Sequence, residues 1–259
     1  MTFFNIGWNG SLLTFNAVAA APLTDLHQPN DPADFDTTGS ADTAHTHGTG
    51  LPKNSFTASF LGSLTSQIDA GAIVSIGSSI SGGTSAGPTT ASYAAAMISQ
   101  ISVSGRKDGR IEGNLTAMPG VPSLTPLTYS NTIGNLGFNG STFGFASIAF
   151  NGLLSASYTA SATPIEASGS GETDNLYTPG IPDQSITITT LGGPQCAAKA
   201  KGATVMVWAD NTGAPGLGSS ATAGGVTAEC VSVHPGGSLD GQTTTEHVFK
   251  MRRSGAGSD

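Results

Sequence analysis

The chain has 259 residues and a net charge of −8, with 9 Lys plus Arg against 17 Asp plus Glu, and only 10% of its residues are charged where about 25% is usual. So few cations exclude a surface built to hold nucleic acid tightly, and a length that exceeds the ~150 residues of one domain predicts two. Gly (36) and Pro (14) stay below a disordered composition, and a 37% hydrophobic share suffices for a core of short strands and turns.

Met1 to Gly7 carry no basic residue, and the apolar run from Leu12 to Ala21 is broken by Thr14 and Asn16, so the chain is expected to be made in the cytosol without a secretory leader. The longest apolar stretches, 17–21 and 94–98, fall far short of the ~20 residues that span a membrane. Apolar residues then recur with a period of two, as in Phe56-Thr57-Ala58-Ser59-Phe60, which predicts strands near 11–19, 33–38, 55–61, 72–80, 95–104 and 110–118. A short helix is expected near 64–70. The stretch 28–49 has no period and reads as a long functional loop, and 81–88 reads as a hairpin tip.

Several motifs in this half hint at chemistry. Gly83-Thr84-Ser85-Ala86-Gly87 fits the G-x-S-x-G pattern, but Pro88 follows it where a nucleophile elbow needs a helix. His45 and His47 beside Asp42 would form a metal corner on a strand, while Gly48-x-Gly50 lacks the third glycine of a phosphate loop. Arg106-Lys107-Asp108-Gly109-Arg110 reads as a hairpin tip around an Asp-Gly turn. No set of residues supports an enzyme, a cofactor or a metal. Residues 119–131 open on Pro119, Pro122 and Pro126, a stiff linker that continues neither a helix nor a central strand.

Beyond the linker the sequence repeats itself. Asn5-Ile6-Gly7-Trp8-Asn9-Gly10-Ser11 returns as Asn135-Leu136-Gly137-Phe138-Asn139-Gly140-Ser141, an offset of 130, and residues 5–62 match 135–192 at 17 of 58 positions. Ile101-Ser102-Val103 aligns with Val231-Ser232-Val233 at the same offset, and Met118 meets Met251 after three extra residues. The chain therefore reads as two homologous copies, 1–118 and 132–259, each with a net charge of −4. Strands are expected in the second copy near 141–150, 163–168, 185–191, 202–209, 226–233 and 243–251, with a short helix near 195–201. The stretch 158–179 is expected to be as irregular as 28–49. Asn175 and Tyr177 replace His45 and His47, so the copies share no metal corner. Cys196 and Cys230 are expected to be free buried thiols.

The segment Asp36-Thr37-Thr38-Gly39-Ser40-Ala41-Asp42-Thr43, followed by Gly50-Leu51-Pro52-Lys53-Asn54-Ser55, recurs as Glu166 to Thr173 followed by Gly180-Ile181-Pro182-Asp183-Gln184-Ser185. With the terminal hairpins at 98–118 and 226–251, it resembles the major tail tube proteins of long-tailed bacteriophages. The resemblance implies a mainly β fold of two tandem β-sandwich or half-barrel domains of tail tube type, each with one flanking helix. It implies trimeric rings stacked into a hollow tube in the virion tail, assembled in the host cytoplasm. Tape measure, tail terminator and distal tail proteins would be its partners, and DNA would pass through without tight binding. A capsid decoration or distal tail attachment protein is the alternative, and a carbohydrate-binding or adhesin module a more remote one. Within this frame Asp36 with Glu166 and Asp42 with Glu172 keep their charge across the repeat, and Glu112 alternates with the core side of its strand. In the second copy the three extra residues put Thr245 in register with it and Glu246 one residue away. The six acidic residues are candidates for the lumen or a ring interface, turn chemistry being the competing reading for the aspartates.

Overall fold

The computed structural model describes residues 12–15, 18–27, 30–38, 44–45, 47–62, 68–79, 92–122, 137–172, 174–209, 227–237 and 241–252. It is mainly β, and its large sheet is antiparallel throughout. In the first half β1 (Leu12–Phe15), β2 (Val18–His27), β5 (Phe56–Leu61), β6 (Ile73–Ser79), β7 (Ser92–Arg106) and β8 (Ile111–Pro119) pair in the cyclic order β1-β2-β5-β8-β7-β6 and back to β1. Burial alternates strictly along β5 and β8, which sends Phe56, Phe60, Ile111 and Leu115 into the closed interior. Each such side chain contributes ~1.5–3 kcal/mol by leaving water. Closure pairs most of the hydrogen-bonding edges that an open half-barrel would expose, though β1 covers β2 only as far as Pro22. β3 (Asn30–Asp36) and β4 (His47–Asn54) form a separate two-stranded arm.

The second half contains β9 (Thr142–Phe145), β10 (Ile148–Ala149), β11 (Leu153–Glu166), β12 (Tyr177–Leu191), β13 (Lys201–Val207), β14 (Thr227–Gly237) and β15 (Thr243–Arg252). Its ladders follow those of the first half. Leu23 faces Phe60 as Leu153 faces Thr190, and Pro32 faces Pro52 as Ala162 faces Pro182, so the offset of 130 holds across four strands. The equivalent of β2 is interrupted near Asn151-Gly152, leaving β10 and the start of β11 in its place.

Hydrogen bonds change the offset elsewhere. Gly71 N–H donates to the Ile98 carbonyl and Lys199 N–H to that of Cys230, which sets 71 against 199 (128) and 98 against 230 (132). Phe56 facing Ala117 and Ile186 facing Phe249 carry 132 into the last strand. The bulges agree, one between Ile98 and Gln100 and the other between Cys230 and Ser232. Ile101 therefore corresponds to Val233, not Val231, and the two terminal hairpins are equal in length, Gly105 facing Ile111 as Gly237 faces Thr243, without the three extra residues that the sequence suggests. A slip of two keeps every side chain on its own face, so the alternating pattern of the sequence does not register it.

Three expectations are corrected. Residues 195–201 form no helix: bends and a turn follow Pro194, and Lys199 adopts a left-handed φ of 66°. Residues 68–70 are likewise non-helical, the rest of that expected helix lying outside the described residues. The stretches 28–49 and 158–179 are not irregular throughout: among the described residues, 30–36 pair with 47–54 in the β3–β4 arm and 158–166 pair with 177–186 in the outer β11–β12 ladder. Of the linker, Pro119 ends β8, and Val121 N–H donates to the Tyr177 carbonyl at 3.1 Å.

The halves meet edge to edge. Gln100 to Arg106 of β7 pair with Ser161 to Ser155 of β11, and Lys107 N–H donates to the Leu154 carbonyl at 2.6 Å. A Cβ on Gly105 would stand 2.4 Å from the Phe138 ring, so only glycine lets that ring cover the seam. Asp108 and Asn139 exchange two hydrogen bonds of 3.1 Å. Deeper in the seam, the buried Asp69 carboxylate accepts from Tyr158 Oη at 2.6 Å, from Ala70 N–H at 2.8 Å and from Gln184 Nε2. Burial holds the Asp69 carboxyl above its usual range despite these donors, and burial beside Asp69 raises the Tyr158 phenol.

Candidate functional site

The seam joins the polar faces of the two halves into one surface. Register carries a row from Thr57 through Thr116, Gln100 and Ser161 to Asp183. The next runs Ser59, Asn114, Ser102, Thr159, Ser185 and Lys250, followed by Glu112, Ser104, Ser157 and Thr187, then Arg106, Ser155, Thr189 and Glu246. Adjacent rows lie two residues apart on each strand, so all these side chains share the face opposite the core. None of them is buried, whereas Ala58, Leu115, Ile101, Ala160 and Ile188 on the other face are.

Hydroxyls dominate this face, and its charges nearly balance, with exposed Asp25 opposite Ser59 adding one further carboxylate. Lys250 Nζ lies 3.4 Å from Asp183 Oδ2, Lys201 stands opposite Glu229 in the ladder, and Arg106 and Arg110 line a groove of about 640 Å³ together with Glu112 and Glu246. Ser59 Oγ donates to Asn114 Oδ1 at 2.8 Å, one hydroxyl already turned inward along the sheet.

The structure splits the sequence-derived candidates. Glu112 and Glu246 share the groove, but not as repeat partners: Glu112 faces Leu61 and Thr244 faces Leu191, so Thr244 is the counterpart of Glu112. Asp36, Glu166 and Glu172 lie away from this face, exposed on the arms, and Asp42 lies outside the described residues. Asp36 faces His47 just as Glu166 faces Tyr177. The Asp36 carboxylate accepts from Thr38 N–H at 2.8 Å and lies 3.6 Å from His45 Nδ1. The bonds from Thr38 hold its carboxyl below the usual range, which is the turn chemistry that competed with the interface reading. Among the described residues no three His, Cys, Asp or Glu converge on a possible metal site. The G-x-S-x-G stretch lies outside them. Arg106 and Arg110, which the sequence reads as a hairpin tip, reach the groove because β7 and β8 run on to the seam.

Two buried groups belong to the core beneath. His247, fully buried between Phe150 and Phe249, accepts at Nε2 from Gln195 N–H at 3.2 Å, and burial lowers its pKa. It is therefore a neutral core imidazole. The Cys196 and Cys230 sulfurs stand 3.1 Å apart as free thiols, and burial with its neighbour pushes the Cys196 thiol up to about 12. Both stay protonated at neutral pH, which makes them poor nucleophiles. No family model matches the chain, and no curated protein matches it.

Proposed function

We propose that the chain is a structural virion protein, two tandem copies of a tail tube domain, which polymerises as stacked trimeric rings into a hollow tube that conducts a phage genome. One observation carries this reading: the continuous, hydroxyl-rich, nearly charge-balanced face that both halves contribute to one sheet. A duplex sliding along a wall binds it in proportion to the phosphates that the wall neutralises. Serine and threonine hydroxyls exchange hydrogen bonds with water and phosphate at little net gain, and the cations of this face stand beside carboxylates. The wall is wet, nearly neutral and non-adhesive. The acidity of the chain collects instead on the arms, where Asp36, Glu166 and Glu172 would meet the next ring. The ladder shared by the two halves supports the tandem reading, because each half then supplies an equal arc of a ring.

Negative-stain imaging of the purified full chain tests the proposal. Stacked hollow tubes are expected. Monomers or closed particles without an axial channel, at concentrations where the protein is otherwise intact, would overturn it.

A further inference from the structure

We infer that the open edge of β14 in one chain pairs antiparallel with the open edge of β2 in a second copy of this chain, in the register in which β7 pairs with β11 inside the chain. The inference deepens the proposed assembly and rests on it for the purpose of the contact; the pairing itself is argued from the ladders.

One edge of β7 serves two partners, β6 over residues 92–97 and β11 over residues 100–106. The same edge of β14 pairs with β13 over Thr227–Glu229. Beyond that, among the described residues, no strand meets it over Ser232–Gly237, and His234 to Gly237 are exposed. At the other end of the chain, β2 pairs with β1 only as far as Pro22. From Asp25 onward that edge meets no described strand, whereas in β11 the same edge carries β7. Each copy thus has one donor edge and one acceptor edge. The chain uses one of each at its seam and leaves the complementary two at its ends.

The residues that make the seam recur where no seam exists within the chain. Gly105, Asp108 and Gly109 have Gly237, Asp240 and Gly241 at the offset of 132, and Phe138-Asn139 has Trp8-Asn9 at 130. Trp8, Asn9 and Asp240 enter here by sequence alone. Gly105 is the glycine that Phe138 covers, while a Cβ on Gly237 would meet nothing within 4 Å. That open place is the one an aromatic ring of the next copy would cover.

Transposing the seam (105 + 132, 156 − 130) sets Gly237 against Leu26 and Gly236 against His27. The bond from Lys107 to Leu154 marks every second pair as hydrogen-bonded. Pro235 then falls on a bonded pair and forfeits one donor, whereas Gly236 with His27 falls on a non-bonded pair, where side chains come closest. The contact is head to tail, so it propagates into rings or filaments and does not stop at a dimer.

The test introduces His27→Cys and Gly236→Cys together into the full chain and oxidises it mildly. Either single variant, the parent with its own two cysteines, and the register-shifted pair Asp25→Cys with Gly236→Cys serve as controls. The expected result is a covalent series extending beyond the dimer from the matched pair alone. No interchain bond, a series ending at the dimer, or equal cross-linking by the shifted pair would overturn the inference. Gly237→Leu provides an independent arm: in the single chain it meets open space, so its circular dichroism and melting should match the parent while assembly is lost. Unchanged assembly of that variant would refute the edge. A cross-linked series without hollow tubes leaves the pairing standing and removes the tube, whereas tubes that never cross-link do the reverse.

Discussion

Superposed through their ladders, the two halves keep their pairing and exchange almost everything else. Ala117 and Leu115 in the first barrel stand where the second has Phe249 and His247. Phe249 sits 4.9 to 6.0 Å, centroid to centroid, from the rings of Phe143, Phe145 and Phe150, while the first half buries Phe15 on β1 and Phe56 and Phe60 on β5. What persists is where most strands bulge, where a left-handed turn precedes β6 and β13, and which edge stays open for a neighbour. Interior volume can be redistributed at modest cost, but a change of register would turn the core outward. The two halves therefore share the ladder and differ in its filling.

Removing the filling that is unique to one half gives the largest expected effect. Phe249→Ala restores the residue type of the first half but deletes the ring at the centre of the aromatic cluster, and should cost about 3–5 kcal/mol in denaturant unfolding. A loss below about 1 kcal/mol would mean that the second core collapses around an alanine as the first does.

The seam comes next, since it makes the halves unequal. Tyr158 Oη is one of the few donors to the buried Asp69 carboxylate, so Tyr158→Phe should cost about 1–3 kcal/mol at neutral pH. The direction with pH follows from the raised carboxyl of Asp69. Because its folded value lies above the unfolded one, its contribution to stability is complete below the unfolded value and is lost as pH rises through the folded one. Parent stability measured against Asp69→Asn should therefore improve on acidification, and the Tyr158→Phe penalty should shrink. A penalty independent of pH would show that the carboxyl does not titrate at the seam.

Much of this was legible in the sequence, and the gaps have physical causes. Apolar alternation located β5, β8, β12 and β15 because one face of each is core and the other is wet. It also put Glu112 on the polar face, and the same period in Gln100, Ser102 and Ser104 would have extended that face to β7. The outer arms escaped because alternation needs a contrast: β11 buries Ala160 and Ala162, side chains too small to stand out from its serines and threonines. The expected helix at 195–201 rested on its place between a strand end and the next strand, where Pro194 and a short turn join the two strands instead. Asp36 and Glu166 were grouped with Glu112 by charge alone, and charge does not report which element carries it.

The smallest expected effect lies in the turns before β6 and β13, where the halves share a backbone and differ in residue. Gly71 has a φ of 87° and Lys199 one of 66°, and each donates its N–H to the equivalent carbonyl of the neighbouring strand. In the left-handed region an L side chain costs about 1–2 kcal/mol, which glycine avoids while losing ~0.5–1 kcal/mol more backbone entropy on folding. Lys199 is exposed, so its removal forfeits little packing. Lys199→Gly should then stabilise the chain by about 0.5–1 kcal/mol in urea. The reverse exchange is worse than symmetric, because a Cβ on Gly71 would stand 3.4 Å from that of Pro179 across the seam, so Gly71→Ala should destabilise by more than Lys199→Gly gains. Destabilisation by Lys199→Gly would mean that the lysine side chain holds this turn in place, and that the two turns share a shape without sharing its cause.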